Sequence, residues 1–162
     1  MSRLFPLPFT SLAILGLWLI LASTYTMGSV VMGGLVAVLV PIWTARFWPD
    51  RPLLRKPLKA FGFFFLVCRD IVVANLVVAR QVLGPLDRIR PGFVEVPLDL
   101  DDPFIATILG GIVTLTPGTV SIDIDMERRI LHVHALDVPD AQALITEIKA
   151  RYEAPLKEMF GC

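Results

Sequence analysis

Two histidines in the C-terminal half, His132 and His134, are the residues of this chain whose spacing most suggests chemistry. They lie two positions apart, so in a strand both side chains point to the same face of a sheet. Such a pair could bind a metal ion or respond to pH near neutrality. A metal site needs more ligands, and no third one follows at a helical or strand spacing nearby. We therefore expect a solvated or interface-facing strand surface, with no metal and no cofactor.

Acidic residues of the same region offer a second possible cation site. Asp123, Asp125 and Asp137 lie within fifteen positions of one another. Acids on the open face of antiparallel strands are more often solvated or paired with neighbouring bases, here Arg128 and Arg129. This pattern predicts surface charge rather than a binding site.

The segment Thr116-Pro117-Gly118-Thr119 has the composition of a turn. It is not a phosphate loop, because it has one glycine, no lysine and no helix after it. Proline and glycine stand where a type II turn places them. Two cysteines, Cys68 and Cys162, are far apart and lack the spacing of a metal or redox motif. With no nucleophile in context and no carboxylate pair suited to a pocket, the sequence predicts no catalytic residue and no enzyme.

The N-terminal part of the chain contains no Asp, Glu, Lys, Arg or His between positions 9 and 45. This apolar stretch is broken once, by the polar segment 23–29, and predicts a transmembrane helical hairpin over residues 1–48. A signal peptide is the alternative for the first apolar run, but a second run of spanning length follows directly. A hairpin without ionisable groups cannot relay protons or bind a bare cation by itself.

Composition and charge agree with a membrane protein that carries a soluble appendage. Apolar residues make up 55% of the chain, and the mean hydropathy is +0.69. Fifteen basic residues balance fifteen acidic ones, so no overall field points to nucleic acid or to an anionic substrate. Five bases and one acid lie between positions 46 and 59, and residues 49–59 form a cationic linker. The positive-inside rule places this linker, and Arg3, on the cytoplasmic side.

Residues 60–90 form an apolar helix and a connector whose relation to the membrane is ambiguous. Arg69, Asp70, Arg80 and Gln81 project at similar angles, which favours an amphipathic helix lying at the cytoplasmic interface. The length also permits a third crossing, but that would carry Arg69 and Asp70 to mid-membrane. We expect the interfacial helix, or a tilted helix packed on a neighbouring protein. Arg69, Asp70 and Arg80 are then predicted to form charge pairs within the helix or with another subunit, with ion coupling by Asp70 as the less favoured alternative.

Residues 91–162 have the pattern of a small cytoplasmic α+β domain. A strand over 93–98 carries Pro97, which restricts it to a sheet edge. A helix beginning at Asp102-Pro103 follows, then two strands that pair antiparallel. The order strand, helix, strand, strand, helix is a truncated split βαβ, or ferredoxin-like, arrangement. Two finer expectations are that Val120, Ile122 and Ile124 share one face of their strand, and that Asp137 and Pro139 open the last helix.

Two motifs carry a resemblance to a known family. The run LTPGTVSID at 115–123, followed by LHVHALD at 131–137, resembles the E subunit of Mrp-type (Mnh or Pha) multisubunit cation/proton antiporters. The resemblance covers essentially the whole chain. It implies an accessory, non-catalytic subunit, multi-pass in the bacterial inner membrane, within a complex of six or seven subunits that exchanges Na+ or K+ for protons. The motif residues it singles out are Thr116, Pro117, Gly118, Thr119, His132, His134 and Asp137.

The resemblance also implies which partners to expect. These are the other integral membrane subunits and the lipid bilayer, with no nucleic acid and no small-molecule substrate bound by this chain alone. A membrane-anchored regulatory or binding module that works outside any transporter is the alternative.

Overall fold

The computed structural model describes residues 8–22, 25–45, 52–85 and 89–161, which divide into two compact units. One unit ends at Arg51 and the other begins at Pro52. The division falls inside the predicted linker 49–59, and the second unit contains both the predicted 60–90 helix and the predicted C-terminal domain. Two features used for topology, Arg3 and residues 46–51, lie outside the described residues, and so does Cys162.

The first unit is a helical hairpin made of α1 (Pro8–Leu21) and α2 (Met27–Thr44). The indole nitrogen of Trp18 donates a hydrogen bond to the carbonyl oxygen of Ser29 at 3.0 Å. The same indole lies over Gly33, where an added Cβ would come within 2.5 Å of its ring. Gly33 therefore allows the close approach of the two helices.

Two of the described helices are long and apolar enough to cross a membrane. They are α2, with 18 residues, and α3 (Pro57–Leu83), with 27 residues. The described helix α1 has 14 residues, fewer than the roughly 20 that a full crossing requires. The length of α3 is therefore sufficient for a crossing. Its position relative to the membrane also depends on the contacts that α3 makes with the rest of the second unit.

The second unit contains a three-stranded antiparallel sheet. Its strands are β1 (Gly92–Pro97), β2 (Thr119–Asp125) and β3 (Ile130–Ala135), in the order β1-β3-β2. Pro97 ends an edge strand, where its missing N–H leaves no ladder bond unmade. The predicted hairpin of the last two strands and the edge position of Pro97 are both confirmed.

Helix α4 (Pro103–Leu115) begins as predicted, because Asp102 Oδ1 accepts hydrogen bonds from the N–H groups of Phe104 and Ile105. The predicted start of the last helix is wrong. Helix α5 (Ala141–Ile148) is capped by Asp140 instead of Asp137. The backbone N–H of Val138 still bonds to the carbonyl of Arg90, which keeps this part of the chain extended and delays the helix.

The C-terminal helix is interrupted by a π-helical turn at Lys149–Glu153 before it continues as α6 (Ala154–Phe160). Pro155 lies just after the turn, has no N–H to donate, and would clash with the carbonyl of Arg151 in α-helical geometry. A wider turn relieves that clash. Single π turns inside α-helices often lie at functional sites, and this one carries the buried residues Tyr152 and Glu153.

A β-bulge changes which residues of β2 face the core. The pairing shifts between Ser121 and Asp123, which leaves Ile122 as an extra residue. Val120 pairs with His134 on the open face of the sheet, whereas Ile124 pairs with Leu131 on the core face. The expectation that Val120, Ile122 and Ile124 share one face is therefore wrong.

The hydrophobic core lies between one face of the sheet, the helices α4 to α6 and one side of α3. Alternate residues of β1 and β3 point into it, as the period of two requires. Val67 of α3 belongs to the same buried cluster. Its members are Val67, Val94, Val96, Leu98, Leu100, Ile105, Ala106, Leu109, Ile112, Val113, Leu131, Val133, Ile148, Tyr152, Leu156 and Met159.

The turn at 116–119 has the predicted type II character. Gly118 has a φ of 94°, and the N–H of Thr119 donates to the carbonyl of Thr116 at 3.2 Å. Thr119 Oγ1 also donates to the carbonyl of Val113 at 2.7 Å, which ties the turn to the end of α4. A Cβ at Gly118 would lie 3.1 Å from Val78 Cγ2 on α3.

We expect Gly118→Val to lower the free energy of unfolding by about 1–3 kcal/mol, because a β-branched residue is strained at positive φ. Thermal or denaturant unfolding of the full chain in mild detergent measures the change. Gly111→Ala is the matched control: it lies in α4 with open space around it, and should be neutral or stabilising. Equal stability of Gly118→Val and the parent chain would contradict the turn assignment.

Candidate functional site

One side of α3 packs along the C-terminal domain and forms what we call the helix seam. The α3 side chains of the seam are buried or half-buried and recur every three or four residues, as one face of a helix does. The seam brings together Asp70, Asp137 and the turn 116–119, three of the features that the sequence singles out. Its α3 residues are Ala60, Phe63, Val67, Asp70, Ala74, Val78 and Gln81.

The centre of the seam is a buried ion pair. Asp70, only 7% exposed, accepts two hydrogen bonds from Arg151, from Nε to Oδ2 and from Nη2 to Oδ1, each at 2.5 Å. Tyr152 donates its hydroxyl to Asp70 Oδ2 at 3.2 Å. Two parallel bonds between a guanidinium and a carboxylate are the strongest geometry available to such a pair. The acid is therefore fully engaged within the chain.

The pKa directions agree with this geometry. The hydrogen bond to Asp70 raises the pKa of Arg151, which keeps the guanidinium charged at every physiological pH. Burial raises the pKa of the Tyr152 phenol, so that side chain remains a neutral hydrogen-bond donor. Arg151 and Tyr152 both lie in the π turn, which presents two consecutive side chains to one acid.

The structure treats the three charged residues predicted on α3 differently. Asp70 pairs with Arg151, a residue of the same chain 81 positions away that sequence reasoning did not identify. Arg69 is 71% exposed and approaches Asp70 only at 3.8 Å. Arg80 is exposed, and no carboxylate of the described residues forms an ion pair with it. Pairing of Arg69 and Arg80 with another subunit stays a prediction.

At its N-terminal end, α3 is held to α6 by charge and by backbone bonds. Lys56 Nζ lies 2.8 Å from Glu158 Oε1, and Lys59 contacts the same oxygen. Hydrogen bonds from Lys56 and Lys59 lower the pKa of Glu158 to about 2. The N–H groups of Arg55 and Lys56 both donate to the carbonyl of Met159. This end of the seam therefore remains ion-paired at neutral pH.

At its other end, the seam contains some of the motif residues, namely the turn 116–119 and Asp137. Asp137 accepts a hydrogen bond from the side chain of Gln81 at 3.1 Å and another from the N–H of Arg90 at 3.2 Å. Gly118 lies against Val78 of α3. The turn 116–119 and Asp137 thus position the end of α3 and the entry into β1, which gives a structural reason for both motifs.

A second buried charge cluster lies beside the seam. Glu153, 2% exposed, accepts hydrogen bonds from the N–H of Asp99 at 2.6 Å and from Lys149 Nζ at 2.9 Å. Lys149 also donates to the carbonyl of Pro97 at 2.7 Å. Burial lowers the pKa of Lys149, but hydrogen bonds to Asp99 and Glu153 outweigh it and the net shift is upward. Sequence reasoning missed this cluster; the i, i+4 spacing of Lys149 and Glu153 was the available signal.

The two histidines lie on the open face of the sheet, away from the seam. His132 pairs across the strands with Glu95 and Asp123, and its Nδ1 lies 3.8 Å from Glu95 Oε1. His134 contacts the ring of Phe93 edge-on, with ring centroids 4.9 Å apart. The described residues contain no group of three or more potential ligands placed to hold a metal ion.

Among the described residues of the seam, we find no acid, base or nucleophile placed for catalysis. A cleft of about 440 Å³ runs beside the seam, lined by α3, by the turn 116–119 and by the C-terminal helices. Two of its lining residues, Asp70 and Arg151, neutralise each other. Catalysis needs a poised acid, base or nucleophile facing the substrate. The arrangement is suited to holding α3 against the domain.

Comparisons with known proteins assign the family. The family model MNHE, described as a Na+/H+ ion antiporter subunit, matches residues 11–159. The chain belongs to this family. It is 35% identical over 161 residues to the E subunit of a probable K+/H+ antiporter of Rhizobium meliloti (strain 1021), covering 99% of each chain. It is 30% identical over 142 residues to the E subunit of a Na+/H+ antiporter of Bacillus subtilis (strain 168), covering 88% of this chain and 90% of that protein.

A solved structure has a similar fold. A chain of the membrane-bound sulfane sulfur reductase, an archaeal respiratory membrane complex, aligns with a TM-score of 0.74 at 27% identity. The alignment covers 99% of this chain and all of that one. The predicted resemblance to the E subunit of Mrp-type antiporters is confirmed. The family groups the chain with components of membrane ion transporters and not with enzymes.

We expect Arg151→Leu to lower the free energy of unfolding by about 3 kcal/mol or more, because it leaves Asp70 buried and unpaired. Asp70→Asn should cost less, since the half-exposed Arg151 can turn toward water. The double variant should be less destabilised than the sum of the two by about 1 kcal/mol or more. Unfolding of the four chains in detergent completes this double-mutant cycle.

Asp101→Asn is the control, because Asp101 and Arg129 form an exposed pair whose loss should cost under about 1 kcal/mol. Additive effects of Asp70→Asn and Arg151→Leu would show that the two side chains do not interact in solution.

Proposed function

We propose that this member of the antiporter family is an accessory, non-catalytic subunit that supports the assembly and stability of a cation/proton antiporter. The observation that carries the proposal is the state of its ionisable groups. Residues 9–45 contain no Asp, Glu, Lys, Arg or His, and the single acid of α3, Asp70, is neutralised by Arg151. Proton and cation pathways require unneutralised carboxylates, lysines or histidines within the membrane. Those pathways therefore belong to other subunits.

The proposal includes an interfacial position for α3. The helix seam runs from Lys59 to Gln81, so the C-terminal domain lies along nearly the whole length of α3. A crossing by α3 would carry charged domain residues such as Lys149 and Glu153 into hydrocarbon, at a large free-energy cost. A helix at the membrane surface keeps those charges in water while its outward apolar side contacts the bilayer or a partner.

Small residues of the hairpin support docking on a larger membrane subunit. Gly16 and Gly34 have open space where a side chain would lie, unlike Gly33, which faces Trp18. Small residues on a membrane helix let a neighbouring helix approach closely. We infer that Gly16 and Gly34 contact another subunit, whereas Gly33 and Ala37 serve the internal packing of the hairpin.

We place the C-terminal domain in the cytoplasm. Five basic residues between 46 and 59, against none at 23–29, support this orientation.

Thiol labelling tests this topology. In a chain with both native cysteines replaced by serine, Tyr25→Cys should react with a membrane-impermeant thiol reagent from outside in intact cells. Glu127→Cys, in an exposed turn, should react only after the membrane is opened. Labelling of Glu127→Cys from outside would contradict this topology.

Deleting the gene for this chain should lower the amount of assembled antiporter and its exchange activity in membrane vesicles. The purified chain in liposomes should show no cation-dependent proton flux, because it has no pathway for either ion. Copurification with large hydrophobic subunits separates this proposal from a regulatory module that works outside a transporter. Flux through the isolated chain that Asp70→Asn abolishes would overturn the proposal and make Asp70 a coupling residue.

A further inference from the structure

The side of α3 that faces away from the C-terminal domain is a continuous apolar surface. At 3.6 residues per turn, six of its large side chains fall within about 60° of one another around the helix axis. Each of the six is more than half exposed, and no acid lies among them. We call this surface the outer face of α3, and it consists of Leu58, Phe61, Phe65, Val72, Leu76 and Leu83.

Two arginines lie along one border of the outer face. Arg69 and Arg80 are eleven residues apart, which is about three helical turns, so they project from the same side about 16 Å from each other. Both are exposed, and the only described carboxylate near Arg69 is already bound by Arg151. Near Arg69 a single acid, Asp70, faces two arginines, so this group keeps a net positive charge, and Arg80 forms no ion pair with a carboxylate of the described residues.

We propose that the outer face binds anionic phospholipid, with Arg69 and Arg80 contacting the phosphates and the apolar residues contacting the acyl chains. This inference rests on the interfacial position of α3 in the proposed function. A partner that complements the surface has to be apolar and negatively charged, and an anionic lipid provides both in one molecule. Arginine is suited to the phosphate, because its planar guanidinium can donate two parallel hydrogen bonds to it.

The distribution of charge on α3 favours lipid over a second protein. Asp70 and Gln81, the polar residues on the seam side, are used within the chain. The outer face of α3 is apolar, with Arg69 and Arg80 along one border. Helices that lie on anionic membranes have this composition. A protein in the same place would have to present two acids about three turns apart beside an apolar surface, and copurification tests for it.

The test uses the full chain reconstituted in bilayers that contain spin-labelled phosphatidylglycerol or spin-labelled phosphatidylcholine. The fraction of motionally restricted label gives the relative association of the two lipids with the protein. We expect a preference for phosphatidylglycerol at low salt that falls by several-fold, up to about fivefold for each arginine, in Arg69→Gln/Arg80→Gln. The preference should also weaken in high salt.

Two further variants make the result specific. Arg90→Gln/Arg128→Gln removes the same charge from exposed positions outside α3 and should keep the preference. Arg69→Lys/Arg80→Lys keeps the charge and should retain most of it. An unchanged preference in Arg69→Gln/Arg80→Gln, or an equal loss in the control pair, would overturn the inference.

Copurification with other subunits separates this inference from the proposed function. Loss of lipid preference with normal assembly supports lipid binding by the outer face. Loss of other subunits from Arg69→Gln/Arg80→Gln, with lipid preference unchanged, would overturn it and assign the two arginines to a protein contact. In either case, the effect of deleting the whole chain still decides the proposed function.

Discussion

An acid on an otherwise apolar helix has to be neutralised before that helix can pack, and the second unit of this chain is arranged around that requirement. The pair between Asp70 and Arg151 joins α3 to the C-terminal helix at the middle of the seam. The remaining contacts follow on either side, with Lys56, Lys59 and Glu158 at one end and Gln81 with Asp137 at the other. A buried ion pair adds little net stability, but its geometry selects one alignment of the two helices over others.

Two parts of the family motifs, the turn 116–119 and Asp137, contribute to this alignment of α3 with the domain. The turn at 116–119 has the only positive φ glycine among the described residues that lies against α3, and Asp137 binds both the end of α3 and the entry into β1. In the structure, the turn and Asp137 fix the position at which α3 ends and the point at which β1 begins.

Most of the secondary structure could be predicted from local signals. Asp102 before Pro103, the alternation of β3 and the Pro-Gly turn each depend on residues close together in the chain. Three features were not apparent from these signals. The bulge at Ile122 breaks a regular alternation, and Asp140 caps α5 because Val138 is held by Arg90, which is a tertiary contact. The π turn has a local cause in Pro155, but the hydrophobic periodicity of the helix does not reveal it. The partner of Asp70 could not be found, because several arginines were equally available and only the packed fold chooses Arg151.

The separation of 81 positions between Asp70 and Arg151 also has a consequence for biosynthesis. At about 5–20 residues per second, a ribosome makes Arg151 roughly 4–16 seconds after Asp70. During that interval α3 is an apolar helix with an unneutralised acid, and such a residue is poorly accepted by the insertion machinery at the centre of a span. In the interfacial position proposed above, α3 stays outside the bilayer core while Asp70 is unneutralised, and Arg151 takes up the charge when the C-terminal helix emerges. The helix seam therefore forms only when the C-terminal helices have been synthesised. A prematurely terminated chain would leave the seam side of α3 exposed, where cellular quality control could recognise it.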